Sequence, residues 1–107
     1  MLRVVIADDH KIFRESLRCM LGSDPEIDVV GTVGDEDELI ACIKETRPDV
    51  VCMDIVMPGV NGIEATRHLI ARQPDLKVIG LSAFPDRTYV LEMLNAGASG
   101  YVTKSEA

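Results

Sequence analysis

The stretch LRVVIADD, residues 2–9, runs through six mostly apolar residues and then ends on the carboxylates Asp8 and Asp9. A short apolar run that is rich in branched side chains predicts a strand buried on both faces. The stretch VVCMD, residues 50–54, repeats the arrangement and ends on Asp54. Because a strand buried on both faces needs helices above and below it, these two stretches decide the fold class, which is α/β with a parallel sheet.

Strand and helix patterns alternate outward from these two stretches along the chain. The predicted strands are Leu2–Ala7, a segment through Val29, Val30 and Val33, Val50–Met53, Val78–Leu81 and Ser99–Thr103. The predicted helices lie between them and end at Gly22, before Pro48, before Pro74 and at Gly97, and Asp86 caps the fourth. The series predicts one domain with a doubly wound, five-stranded parallel sheet. Such a sheet binds ligands beyond the carboxyl ends of its strands, where the strand order reverses.

The composition is that of one soluble domain, and it excludes several kinds of partner. The 107 residues, 47% of them hydrophobic, suffice for one core. A net charge of -7 disfavours direct binding to nucleic acid and to an anionic membrane surface. Cys19, Cys42 and Cys52 form no CxxC pair, which predicts buried thiols in a reducing compartment, with a reactive thiol as the alternative. Without a secretory leader or a membrane-spanning run, the sequence predicts a cytoplasmic protein.

Five polar residues stand at the ends of predicted strands: Asp8, Asp9, Asp54, Ser82 and Lys104. In a sheet ordered 2-1-3-4-5, strands one and three are neighbours, so the three carboxylates crowd one crevice. Like charges at that distance cost stability unless a cation joins them, and a few oxygen ligands open to water suit Mg²⁺. A hydroxyl and an ammonium facing such a cluster are the groups that a bound phosphoryl group needs.

Each of these residues also has an ordinary structural explanation. A single aspartate could cap a helix or a turn, Ser82 could be a turn residue, and Lys104 could be a solvated surface charge. His10, which follows two aspartates, could be a metal ligand or a phosphohistidine, but a polar residue at the start of the first helix is the favoured interpretation, because Mg²⁺ prefers oxygen.

Four motifs resemble the receiver domain of bacterial two-component response regulators. They are VVIADDH (residues 4–10), DIVMPGVNG (54–62), LSA (81–83) and AGASGYVTK (96–104). They occur in the family's order over almost the whole chain. The first and last motifs look most like the subfamily whose members carry a helix-turn-helix DNA-binding domain downstream. The resemblance implies a flavodoxin-like fold with strand order 2-1-3-4-5.

The resemblance also implies a phosphoacceptor and a metal site. Asp54 would take a phosphoryl group from a histidine kinase and form an aspartyl phosphate. Asp9, Asp54 and the backbone carbonyl of Val56 would ligate Mg²⁺, and Asp8 would act through water. The domain would have no turnover beyond slow self-dephosphorylation, so we do not expect an enzyme.

A switch follows from the same resemblance. Lys104 would pair with a phosphoryl oxygen, Ser82 would move inward to bond another, and Tyr101 would turn inward as Ser82 moves. These charge-assisted bonds would shift the fourth helix against the fifth strand and so change the output surface. The alternative for Tyr101 is an amphipathic tyrosine at the sheet edge.

The chain departs from the family where a fifth helix normally follows the lysine. Residues 1–107 are therefore expected to be a receiver domain truncated after the fifth strand, with DNA reached only through a domain absent from this chain. Losing three or four covering apolar side chains at about 1.5–3 kcal/mol each rivals the stability of a small domain. We therefore expect self-association, as a dimer or another homo-oligomer, that covers the exposed flank.

Two other function classes stay open at this point. A Mg²⁺-dependent phosphotransferase or phosphatase with an aspartate nucleophile usually has an acid/base aspartate two residues later, where this chain has Val56. A pseudo-receiver that only binds protein partners usually lacks one of the acidic pair, the nucleophile or the lysine, and this chain has all of them.

Overall fold

A computed structural model of the chain describes residues 1–57, 60–82 and 87–104. Within these residues five strands form one sheet: β1 Leu2–Ala7, β2 Ile27–Val33, β3 Val50–Asp54, β4 Lys77–Ser82 and β5 Gly100–Thr103. Their order is β2-β1-β3-β4-β5, and each neighbouring pair is parallel. The predicted α/β class and the strand order 2-1-3-4-5 are confirmed.

Four helices connect these strands in the same part of the chain: α1 Lys11–Gly22, α2 Glu36–Thr46, α3 Gly62–Arg72 and α4 Arg87–Asn95. A two-residue antiparallel ladder pairs Val56–Met57 with Val60–Asn61 between β3 and α3. The predicted cap Asp86 and residues 105–107 lie outside the described residues. None of the described helices is both long and apolar enough to cross a bilayer.

Local signals account for several helix ends. Asp35 caps α2, since its Oδ1 accepts the backbone N–H of Glu38 at 2.9 Å. Arg47, in the left-handed region with φ 48°, ends the same helix before Pro48. Beyond α4, Gly97 has φ +112°, and a Cβ there would lie 3.1 Å from Ile70. The helix ends predicted at Pro48 and Gly97 therefore coincide with residues of positive φ, Arg47 and Gly97.

The two faces of the sheet carry cores of different size. The face covered by α2, α3 and α4 holds the larger cluster, with Leu39, Val51, Met53 and Met93 almost fully buried. On the α1 face, Leu17 and three strand residues are buried, while the surrounding apolar side chains are only partly covered. These are Phe13, Leu21, Ile27, Val29, Val50, Cys52 and Val102. Within the described residues, the face under α2, α3 and α4 is therefore covered more completely than the face under α1.

The prediction of three buried thiols is wrong. Cys19 is exposed, and Cys42 and Cys52 are half-buried. Cys19 lies two residues after the inward-facing Leu17, which turns it to the opposite side of α1. Cys52 lies in β3 under the partly covered α1 face, and burial raises the pKa of its thiol to about 11.

Candidate functional site

The acidic residues meet at the carboxyl edge of the sheet. β1 and β3 pair in parallel with Ala7 opposite Met53, so the residues that follow, Asp8 and Asp54, come side by side. Asp9 is the next residue after Asp8. The register of two neighbouring strands therefore brings together carboxylates that lie about half the chain apart.

Four side chains form a compact cluster of possible ligands, which we call the acidic cluster: Asp8, Asp9, His10 and Asp54. One atom from each lies within 4.8 Å of the others. Asp8 is fully buried and Asp54 nearly so, whereas Asp9 and His10 are partly open to solvent. The cluster thus has a buried floor and an open rim.

Lys104 supplies the ammonium at this cluster. Its Nζ lies 2.8 Å from Asp8 Oδ2 and 3.4 Å from Asp54 Oδ2. The first contact is an ion pair alone, because the ammonium is not aligned to donate a hydrogen bond to this Asp8 oxygen. The Lys104 ammonium lies over Phe13, with Nζ 4.9 Å from the ring centre. Lys104 therefore reaches the cluster from β5 across the start of α1.

Hydrogen bonds hold the loop between β1 and α1 in place. Asp8 Oδ1 accepts the backbone N–H of His10 at 2.8 Å, and Arg14 Nη1 donates to the Asp8 carbonyl oxygen at 3.0 Å. His10 is the N-cap residue of α1, and its side chain makes no capping bond. Asp8 thus stabilises a turn and does not cap the helix, which also leaves its second oxygen facing the cluster.

Gly62 positions the other side of the site. Its backbone N–H donates to the Ile55 carbonyl at 2.7 Å. A Cβ at this residue would lie 2.6 Å from Ile55 Cα and 2.7 Å from the Asp54 carbonyl oxygen. Helix α3 can therefore begin against the end of β3 only because residue 62 has no side chain.

The remaining predicted site residues lie around this edge. Ser82 ends β4, is buried, and pairs in register with Thr103 of β5. Tyr101 lies half-buried opposite Gly80 of β4. A Cβ added to Gly80 would lie 3.2 Å from the Tyr101 ring and 2.9 Å from Met93. Val56 begins the two-residue ladder just beyond Asp54. Tyr101 thus packs at the junction of β4, β5 and α4.

Sequence reasoning disfavoured one member of the site, His10, and missed another, Arg14. His10 was assigned to the helix start, where it does lie, but its ring also enters the acidic cluster. Its position directly after two aspartates was the available signal. Arg14 had no such signal, because its contact with the Asp8 carbonyl depends on how α1 turns over the loop.

The donor set fits a hard divalent cation. The carboxylates outnumber the single ammonium, and one buried oxygen of Asp8 accepts no hydrogen bond in the described structure. A small cation with oxygen ligands would neutralise this excess negative charge. A doubly wound sheet with an acidic cluster and one lysine at its carboxyl edge is the architecture of receiver domains.

Comparison with known proteins identifies the family. The profile of the response regulator receiver domain matches residues 4–107, so the chain belongs to this family. It is 47% identical over 103 residues to the transcriptional regulatory protein DegU of Brevibacillus brevis, covering 96% of this chain and 44% of DegU. The chain spans about half the length of the curated relatives it matches.

Solved structures agree with this assignment. A LuxR-family two-component response regulator from Aurantimonas sp. SI85-9A1 superposes with a TM-score of 0.90 and 39% identity, over 96% of this chain and 74% of that one. The isolated REC domain of RcsB from Salmonella enterica serovar Typhimurium, solved in the presence of the phosphomimetic BeF3-, has a TM-score of 0.91 and 28% identity. That match covers 99% of this chain and 79% of the RcsB chain.

Proposed function

We propose that this chain is a phosphorylation-activated switch in which Asp54 accepts a phosphoryl group from a histidine kinase. The observation that carries the proposal is the convergence on one sheet edge of a nearly buried Asp54, two further aspartates and the Lys104 ammonium, 3.4 Å from Asp54 Oδ2. This arrangement supports a charged group transferred onto Asp54. Membership of the receiver family supports the same conclusion.

Asp9, Asp54 and the backbone carbonyl of Val56 would hold Mg²⁺, with Asp8 acting through water. The ion would offset the negative charge that Asp54 and an incoming phosphoryl group bring to the same place. The closeness of the carboxylate oxygens supports this assignment, because the ligand atoms lie within 4.8 Å of one another. The partial exposure of Asp9 leaves a route for water and phosphodonor.

In the transfer step, a carboxylate oxygen of Asp54 attacks the phosphorus of a kinase phosphohistidine. The new O–P bond forms as the P–N bond breaks, and the imidazole leaves with that electron pair and takes up a proton. Lys104 would pair with a phosphoryl oxygen, which requires only that its ammonium shift from Asp8 toward Asp54. The reaction changes the charge at Asp54 without any turnover of substrate, apart from slow hydrolysis of the aspartyl phosphate.

The switch would run through Ser82 and Tyr101. Ser82 at the end of β4 would bond a second phosphoryl oxygen and draw the connection to α4 toward the site. Tyr101 is directly opposite Gly80, and a Cβ on Gly80 would meet both the Tyr101 ring and Met93 of α4, so a shift of α4 changes the space beside the ring. Phosphorylation would thereby bias an equilibrium between two arrangements of the α4–β5 surface.

We further propose that the output is transcription, through a DNA-binding domain outside this chain, in a cytoplasmic protein. Relatives such as DegU, a transcriptional regulatory protein, support this. Exposed apolar side chains on α4, namely Tyr89, Leu91 and Leu94, support dimerisation through this part of the surface. Sedimentation at micromolar concentration, with and without BeF3-, checks the dimer; a monomer under both conditions would contradict it.

Intact mass tests the central step. The protein is incubated with Mg²⁺ and acetyl phosphate, alongside Asp54→Asn and a matched Asp75→Asn variant remote from the site. We expect one added phosphoryl group on the parent and on Asp75→Asn, and none on Asp54→Asn.

An adduct that persists in Asp54→Asn would show that another residue is the phosphoacceptor. The absence of any adduct on a folded parent, with Mg²⁺ binding still measurable, would overturn the switch in favour of a module that only binds partners. Circular dichroism establishes that each variant is folded.

A further inference from the structure

We propose that His10 contributes a nitrogen ligand to the cation site, so that the site favours first-row transition-metal ions over Mg²⁺ more strongly than an all-oxygen site does. This inference rests on the proposed function, because it uses the same acidic cluster as the place where a divalent ion binds. The imidazole is an addition to the aspartate ligands, and it changes which ion the domain prefers.

The first support is the spacing of the ligand atoms. His10 Nδ1 lies 3.1 Å from Asp8 Oδ1, 3.4 Å from Asp9 Oδ1 and 3.8 Å from Asp54 Oδ2. In an octahedral site with bonds of about 2.1 Å, neighbouring ligand atoms are about 3.0 Å apart and opposite ones about 4.2 Å apart. The separations from Asp9 and Asp54, the two carboxylates proposed as direct ligands, fall within this range, so the nitrogen already stands where a further ligand of the same ion would stand.

The second support is the direction of the nitrogen lone pair. Lys104 Nζ lies 2.8 Å from His10 Nδ1. An ammonium can only donate hydrogen bonds, so Nδ1 must be the acceptor in this contact. The Nδ1 lone pair is therefore directed at a positive charge in the cluster, which here is the Lys104 ammonium. His10 Nδ1 also lies 3.1 Å from Asp8 Oδ1, and a divalent cation can accept the lone pairs of nitrogen and oxygen together.

The third support is the charge left at the floor of the site. Asp8 is fully buried, and its Oδ2 faces the lysine ammonium without an aligned hydrogen bond. Lys104 brings a single positive charge to Asp8, His10 and Asp54 together. A divalent ion brings two, and it can accept the lone pairs of nitrogen and oxygen alike.

The chemical consequence is selectivity. Mg²⁺ prefers oxygen and gains little from an imidazole, whereas Ni²⁺ and Zn²⁺ bind imidazole nitrogen well. His10→Asn is the informative change, because its amide branches from the same Cγ as Nδ1 and can offer an oxygen near that position. The variant should retain Mg²⁺ and lose the advantage for Ni²⁺.

The first measurement is the affinity of untagged protein for Ni²⁺ and for Mg²⁺ by titration calorimetry. We expect His10→Asn to weaken Ni²⁺ binding by at least about tenfold and Mg²⁺ binding by less than about threefold. His68→Asn is the matched control, since His68 is the other histidine of the chain and lies exposed on α3. This control should leave both affinities unchanged.

The second measurement reads the ligand directly. With Mn²⁺ bound, pulsed electron paramagnetic resonance detects hyperfine coupling between the metal and an imidazole nitrogen. The parent and His68→Asn should show this coupling, and His10→Asn and His10→Gln should not. The absence of coupling in the parent would refute the inference without any variant, and the His10 and His68 variants assign a coupling that is seen.

The outcomes separate this inference from the proposed function. If Mg²⁺ binds and Asp54 is phosphorylated but Mn²⁺ shows no nitrogen coupling, His10 is not a ligand and only this inference fails. If coupling persists in His10→Asn but disappears in His68→Asn, the metal lies elsewhere and the inference also fails. If no divalent ion binds the parent at millimolar concentration, the cation site of the proposed function fails together with it.

Discussion

Replacing Gly62 with alanine tests how tightly helix α3 is set against the end of β3. The new Cβ would lie 2.6 Å from Ile55 Cα and 2.7 Å from both the Asp54 and the Ile55 carbonyl oxygens. All three neighbours are backbone atoms, so they would have to move by about 0.7–0.8 Å to restore a contact of 3.4 Å. Forcing extra volume into a packed site costs about 1–3 kcal/mol. Gly62→Ala should destabilise the fold and displace the residue that carries the phosphoacceptor carboxylate.

Gly22→Ala is the matched control for this effect. Gly22 is the last residue of α1, and a Cβ there meets nothing within 4 Å. Replacing glycine with alanine in a helix stabilises the helix by up to about 1 kcal/mol, and this stabilisation applies to both variants. Urea unfolding followed by circular dichroism should therefore place Gly62→Ala below Gly22→Ala by about 1–3 kcal/mol. Equal stability of the two variants would refute the argument that backbone contacts require glycine at residue 62.

Three further predictions concern the core, a thiol and the metal. Met93→Ala should lower the free energy of unfolding by about 2–5 kcal/mol, because Met93 is fully buried. Leu94→Ala, on the exposed side of α4, should lower it much less, and urea unfolding midpoints compare the two variants. Burial raises the pKa of Cys52 from 9.0 to about 11, so the unfolded chain loses the thiol proton first as pH rises. Stability should fall by about 2–3 kcal/mol across that window, a loss absent in Cys52→Ala but kept in Cys19→Ala. Saturating Mg²⁺, at about 100 times its dissociation constant, should stabilise the parent by about 2.7 kcal/mol, and Asp9→Asn should lose most of this in scanning calorimetry.

Much of the fold could be predicted because its signals are local. The mostly apolar runs LRVVIA and VVCM mark β1 and most of β3, and Pro48, Pro74 and Gly97 lie just beyond helix ends. β2 begins at Ile27, two residues before the predicted valines, because the strand continues along β1 as far as Leu2 opposite Ile27. That extension depends on pairing between strands and so has no local signal.

Most residues of the candidate site could be predicted from the sequence, but the contacts between them could not. The ends of neighbouring parallel strands must meet at one edge, which brings Asp8 and Asp54 together once the strand order is known. The same reasoning cannot show that Asp8 turns one oxygen to the His10 N–H and the other to Lys104. These contacts depend on the loop after β1, and its shape is held by Arg14 from within α1.

By itself, then, the sequence determined the α/β class and the residue types at the ends of the strands, because hydrophobic period and chain breaks act over a few residues, whereas the strand order was implied by the resemblance to receiver domains. Only the tertiary structure decided which neighbours on a helix face inward, as with buried Met93 beside exposed Leu94. It also decided that Lys104 meets His10, 94 residues away, at 2.8 Å. Such choices follow from the register of strands and the packing of helices on them, which no short stretch of chain encodes.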